Sequence, residues 1–240
     1  MNKEIAPTGK LRVGVVFAPA ATIFFVVRDA SGAPRGVTVD LGNALAQKLG
    51  LPIELQVFPN SGEVTDRLSA GEIDVAFMPV DEERRKRVDF GTAYCLVEST
   101  YLVRGDSDIA TLADIDRPQV RVVGIANTTT IRSAARSCQH ATVTPVATVG
   151  EAMAQLRDRQ ADAVALSRDS FAVLMQDVPG SRILDGGFQQ TGIAIALPKN
   201  RPAALAAATA FIEAAKADGT VRRALDAAGF RNEAVAPAGR

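Results

Sequence analysis

Apolar β-branched runs alternate with capped, amphipathic segments along almost the whole chain. That alternation restricts the fold to the α/β class. Leu11–Phe17 reads as the first strand, and the turn-rich stretch Arg28–Pro34 as a hairpin tip. Leu41, Leu45 and Leu49 fall four apart, with Gly50 and Pro52 behind them, so Val39–Leu49 reads as a helix with a marked stop. Ile53–Phe58 is the next strand. Asn60 with Glu63 opens another helix as a capping box, and Ile73–Phe77 is a buried strand. The middle of the chain repeats the theme. Val97–Val103 is extended, Ile109–Ile115 reads as a short helix, and Val120–Ile125, Ala141–Val146 and Ala163–Leu166 read as strands. Helices are expected from the turn at Asn127–Thr130, after Thr148, and over Phe171–Met175. Ile193–Leu197 is the last strand. An Ala-rich helix from Pro202 and a final helix over Val221–Ala228 complete the chain.

The pattern also echoes itself. Glu63, Leu68 and Asp74 precede Val75-Ala76-Phe77, and Glu151, Leu156 and Asp162 precede Ala163-Val164-Ala165 with the same spacing. Each set joins a capped helix to a buried strand, which fits two lobes of like construction, one before about residue 100 and one after it. A chain of 240 residues has the length for two such lobes.

Composition narrows the function. Lys+Arg and Asp+Glu each number 27, so the formal charge is zero, without the basic excess of a nucleic-acid or anionic-membrane protein. Two Cys and one His leave too few ligands for a Cys/His metal site, a lone His argues against a catalytic triad, and no cofactor is implied. Cys95 and Cys138 read as small buried apolar residues in different lobes. The N-terminus has two readings. Lys3, Lys10 and Arg12 precede an apolar run, and Ala18-Pro19-Ala20 resembles a leader cleavage site. The same run is also a good strand, with Glu4 and Pro7 out of place in a leader.

Several segments together resemble the periplasmic solute-binding proteins that serve polar amino-acid ABC transporters. Gly36-Val37-Thr38-Val39-Asp40-Leu41 looks like the family's segment leading into a helix. Ala70–Val75 is similar to its helix-to-strand junction. The run Asp81–Tyr94, with Arg84 and Phe90, resembles the block "T-x-E-R-x-x-x-x-x-F-S-x-P-Y", and Ala217–Val221 the "x-D-G-T" near the C-terminus. The resemblance runs from about Leu11 to Phe230 and implies a type 2 periplasmic-binding, or Venus-flytrap, fold. Lobe 1 would be discontinuous (1–98 and 193–240), lobe 2 would span 104–188, and hinge strands would lie near 97–103 and 189–195. A small carboxylate-bearing ligand would be trapped between the lobes and delivered to a membrane permease. The resemblance favours Leu11–Phe17 as a core strand over a leader. It implies a periplasmic location, while the absence of a convincing leader leaves a cytoplasmic one open.

Candidate ligand contacts follow. The resemblance implies that Arg84 clamps the ligand's α-carboxylate, and a guanidinium fork suits that task. Its neighbours Arg85 and Arg87 read as a solvated face. Asn127, Thr129 and Thr130 match the family's polar turn at a helix start, where backbone N–H groups and hydroxyls suit an anion. One Thr suffices for capping, so hydroxyls are left over. The family's acid for the ligand's α-ammonium falls here on Ser167, with Asp169 two residues later as a substitute or as a surface helix cap. The loop after Phe77 is shortened to Met78-Pro79-Val80, with Met78 in place of polar partners. Both departures weaken the case for an α-amino acid and admit an organic acid without the amino group, or a ligand with an uncharged end. Phe17, Ala18 and Pro19 would line the cleft, Phe24 and Phe25 offer an apolar wall, and Gln189 and Gln190 lie near the return strand. Some dehydratases of cyclohexadienyl or arogenate type share the fold. That alternative would make Glu98 a catalytic acid rather than a surface carboxylate.

Overall fold

A computed structural model of the chain describes residues 2–18 and 21–239; Pro19 and Ala20 lie outside the described residues. The chain divides into two compact units, Met1–Leu96 with Gly192–Arg240, and Val97–Thr191.

The first unit opens with α1 (Asn2–Ile5), β1 (Leu11–Phe17), β2 (Phe25–Arg28), β3 (Pro34–Arg35) and α2 (Val37–Leu49). It continues through β4 (Ile53–Phe58), α3 (Ser61–Ser69), β5 (Val75–Pro79) and α4 (Glu82–Arg85) into the long strand β6 (Val88–Val103), which carries the chain into the second unit. There follow a 3-10 turn (Leu112–Ile115), β7 (Arg121–Ile125), α5 (Thr129–Ser137), β8 (Thr142–Val146), α6 (Val149–Arg157), β9 (Ala163–Ser167), α7 (Arg168–Leu174) and β10 (Arg182–Ile183). Strand β11 (Gln189–Pro198) returns to the first unit, which α8 (Pro202–Ala217) and α9 (Thr220–Ala227) complete.

In the first unit β1 runs parallel to β4, β5 and β2. Val16 pairs with both Phe58 of β4 and Phe25 of β2, so those two strands flank β1 on opposite sides. Strand β11 is antiparallel to β5. The carboxyl ends of the four parallel strands therefore share one edge, where open α/β sheets place their ligands. Beneath that edge Val16, Phe58, Val64, Leu68, Ile73, Ala76 and Met78 form a buried core.

In the second unit β7 is parallel to β8 and β9, while β9 and β10 are antiparallel to β6. The strands alternate between two cores with the period of two that a sheet covered on both faces requires. Leu102, Val123, Val164 and Leu166 join Met153, Leu156 and Phe171 on one face. Tyr101, Val103, Val122, Ala163 and Ala165 join Ile109, Ile115 and Ala134 on the other.

The sequence echo has a structural counterpart in each unit. The Arg12 backbone N–H and Nε donate to Asp74 Oδ2 at 2.9 and 3.0 Å, Nη2 donates to Asp74 Oδ1 at 2.6 Å, and Nη2 also reaches Gly71 O at 2.8 Å. In the second unit Arg121 makes the same set of bonds to Asp162, at 2.9, 3.0 and 3.0 Å, and its Nη2 reaches Arg159 O at 2.8 Å. The carbonyl comes in both cases from the residue three before the aspartate. Both residues that supply the accepting carbonyl have left-handed backbone, Gly71 at φ 73° and Arg159 at φ 61°. Glycine adopts that geometry freely, whereas Arg159 holds it against its Cβ. The bond to Asp74 raises the Arg12 guanidinium's pKa above its ordinary value. Burial pushes the Asp162 carboxyl up, but Arg121's hydrogen bonds and charge outweigh it and leave the carboxyl below its ordinary range.

Local details differ from expectation where capping chemistry decides. Ile109–Ile115 forms a single 3-10 turn rather than a helix, because the Asp114 carboxylate collects the N–H groups of Ala110 and Thr111 and the Thr111 hydroxyl. The helix expected from Phe171 begins earlier, at Arg168, with Ser167 at its N-cap position. Cys95 and Cys138 are free thiols. Among the described residues no helix is long and apolar enough to cross a membrane.

Candidate functional site

Arg84 lies at the carboxyl edge of the first unit. Asp81 caps α4 and accepts the Arg84 backbone N–H at 2.9 Å, which turns the side chain inward. Arg84 Nη1 then donates to Pro79 O at 3.0 Å, at the end of β5, and Nη2 to Ser61 Oγ at 3.1 Å, at the start of α3. Its Nε stands 3.9 Å from Asp81 Oδ2. Only 8% of Arg84 is exposed. Its neighbours behave differently. Arg85, Lys86 and Arg87 are exposed and face Glu82, Glu83 and Asp66. One arginine of the charge run is thus withdrawn from solvent and pinned at its head group. Arg84 therefore carries two structural hydrogen bonds besides any role toward a ligand.

Phe17 ends β1 with 38% of its surface exposed. The guanidinium of Arg28, the last residue of β2, sits 5.4 Å from its ring centroid. Ala18 N–H donates to Val26 O at 3.0 Å and ties the two strand ends together. Phe24 and Phe25 meet edge to face at 4.3 Å, with Phe25 packed on the core. Pro19, the other expected wall residue, lies outside the described residues.

Met78 is a correction. It is 2% exposed and packs in the first unit's core, with the Thr65 hydroxyl 3.7 Å from its sulfur. Strand β5 is buried from Val75 through Met78, covered on both faces, and this side chain belongs to the core. Asn60 caps α3, accepting the Glu63 N–H at 2.8 Å.

The second unit carries its own polar cluster at strand carboxyl ends. Thr128 takes the capping role for α5, accepting the Ile131 N–H at 3.2 Å and donating to Ile125 O at 2.8 Å. Thr129 beside it is buried, and Thr130 Oγ1 lies 3.3 Å from Ser99 Oγ. Asn127 is exposed with left-handed backbone at φ 62°, a conformation Asn tolerates. Ser167, at the carboxyl end of β9, has its hydroxyl 2.9 Å from that of Ser170. Asp169 sits inside the first turn of α7 rather than at its cap, and both carboxylate oxygens are closed off from solvent. The surface-cap reading of Asp169 is therefore wrong. Glu98 accepts a bond from Arg168 Nε at 2.7 Å, and Arg168 also binds the carbonyls of Leu184 and Gly186. Glu98 is thus an ion-paired, half-exposed carboxylate. Gln189 keeps a buried side-chain oxygen without a hydrogen-bond donor among the described residues, and Gln190 is exposed.

Sequence reasoning missed Arg28, Ser61's contact with Arg84, Ser99 and Arg168. The registers of β1 with β2 and of β6 with β9 bring these together, and neither is visible in local pattern. Among the described residues no group of His, Cys, Asp and Glu is arranged to hold a metal.

The comparisons agree with this architecture. The glutamine-binding protein of Geobacillus stearothermophilus is 26% identical over 193 residues, covering 78% of this chain and 72% of the relative. The ABC transporter glutamine-binding protein of Bacillus subtilis is 24% identical, covering 82% and 73%. Among solved structures, an ancestral arginine-binding protein bound to arginine is similar at 26% identity with a TM-score of 0.75, covering 91% of this chain and 97% of that one. An ancestral amino-acid-binding protein described as a precursor of cyclohexadienyl dehydratase matches at 25% identity and the same TM-score, covering 94% and 97%. The curated relatives are binding proteins, so the dehydratase alternative is the less supported of the two. The family model for bacterial extracellular solute-binding proteins, family 3, matches residues 15–227, nearly the whole of the two-unit architecture, and the chain belongs to that family.

Proposed function

We propose that this solute-binding protein captures a small carboxylate-bearing solute through Arg84 and delivers it to the permease of an ABC transporter. The observation that carries the reading is the Arg84 head group, buried and oriented by Pro79 O and Ser61 Oγ at a sheet's carboxyl edge. A pre-oriented guanidinium loses little entropy when it binds a carboxylate. The same proposal takes the two compact units as lobes, with the crossings near 97–103 and 189–195 as the hinge. Phe17 serves as the apolar contact in the first lobe. Asn127, Thr129, Thr130 and Ser167 supply the polar contacts of the second. A periplasmic site of action belongs to the proposal.

A thermal-shift screen with amino acids, dicarboxylates, keto acids and aromatic acids tests it. A ligand at 100 times its Kd stabilises by ~2.7 kcal/mol, a shift of several degrees at this size. A carboxylate is expected to give that shift in the wild type and none in an Arg84 variant; silence across the panel would refute the reading. Ser167→Asp restores an acid where the family places one for an ammonium. It is expected to raise affinity for α-amino acids by about tenfold, one charge-assisted hydrogen bond, as measured by calorimetry. An unchanged affinity would show that Ser167 does not face the ligand.

A further inference from the structure

We propose that the solute is a short-chain diacid, and that Arg28, stacked on Phe17, is the specificity-determining residue for its second acidic group. The inference rests on the reading of Arg84 as anchor for the first. Arg28 is exposed and makes no ion pair among the described residues, unlike Arg84 and the three cations that follow it. The acid beside it, Asp29, is turned into the hairpin loop, accepting from Ser31 N–H, Ser31 Oγ and Ala33 N–H. Arg28 itself is held by two contacts that leave its charge uncompensated. Nη1 donates to Gly32 O at 2.8 Å, and the guanidinium lies over the exposed Phe17 ring. A guanidinium held over an aromatic face keeps N–H donors for a planar anion.

Placement supports the pairing with Arg84. Strands β2 and β4 flank β1 on opposite sides, and Arg28 and Ser61 follow from their carboxyl ends. Those ends are two inter-strand spacings apart, about 10 Å. Two guanidinium groups carried at the carboxyl edge of one sheet suit two acidic groups joined by a few carbons. An uncompensated cation on the aromatic wall also disfavours a solute with a cationic side chain, by like-charge repulsion. The absence of an acid at Ser167 fits a solute whose charge is wholly negative.

Calorimetry with glutarate, its half-amide glutaramate, L-glutamate and L-glutamine tests the inference on the full chain. The wild type is expected to bind glutarate at least about tenfold more tightly than glutaramate, the effect of one charge-assisted pair. Arg28→Gln is expected to erase that preference while leaving glutaramate within about twofold. Arg28→Lys keeps the charge and is expected to retain part of the preference, so a folding defect in one variant leaves the other to read. Equal binding of diacid and half-amide by the wild type, or a preference that survives Arg28→Gln, overturns the inference. If glutaramate binding needs Arg84 but Arg28→Gln changes nothing, the Arg84 anchor stands and the second site falls. If none of the four probes binds, or binding ignores Arg84, both fall.

Discussion

Replacing Arg84 by alanine is expected to weaken binding of the carboxylate solute by about 10²- to 10³-fold, the effect of losing two charge-assisted hydrogen bonds of about 1.5–3 kcal/mol each with partial compensation by water. Stability should fall as well. The substitution strips Pro79 O and Ser61 Oγ of their donors, and an acceptor left buried without a donor costs about 1–3 kcal/mol. Arg84→Lys separates the two effects. It keeps a charge within reach of Pro79 O but cannot span the carbonyl, the hydroxyl and a carboxylate at once. The lysine variant should melt close to the wild type while its affinity drops by about tenfold or more. Calorimetry paired with thermal denaturation checks both. A lysine variant that binds as tightly as the wild type would remove Arg84 from the site.

The second large effect concerns stability alone. Asp74 is fully buried between two guanidinium groups, Arg12 at 2.6 Å and Arg201 at 3.8 Å. Asp74→Ala removes the shared anion and leaves both cations uncompensated, with a cost of about 3–5 kcal/mol. At this size that lowers the melting temperature by roughly 10 °C. The equivalent change in the second unit, Asp162→Ala, should cost much less, about 1 kcal/mol, since the Arg121 side chain is 48% exposed and water can replace the carboxylate. Denaturant unfolding of the two variants measures the difference. Equal losses would mean that burial does not set the strength of these pairs.

The order of elements was legible because each strand and helix is written locally. β-branched runs marked β1, β4, β7 and β9, and capping residues marked α3 and α6, where Asn60 and Thr148 do accept the expected N–H groups. The Glu–Leu–Asp echo located both aspartates, but not their partners. Arg12 and Arg121 come from strands 62 and 41 residues away, and no local pattern names them. The same limit governed the candidate site. Arg84 stood out only because a block of residues around it resembled a family, since its neighbours share its charge. Met78 was misplaced because β5 is covered on both faces, and its apolar run carries no alternation that would mark an exposed side. Arg28 was missed because its relation to Phe17 exists only once β1 and β2 are paired.

The path of the chain between the units sets an order of assembly during synthesis. The second unit is one uninterrupted segment, Val97–Thr191, and can close as soon as it has left the ribosome. The first cannot. The edge of β5 at Pro79 is completed by Ile193 of β11, and more than a hundred residues must be made between them. At about 5–20 residues per second that edge stays unpaired for roughly ten seconds. A nascent chain of this architecture therefore exposes a hydrophobic β edge for a fixed interval, which is the surface a holding chaperone or an export machinery would meet.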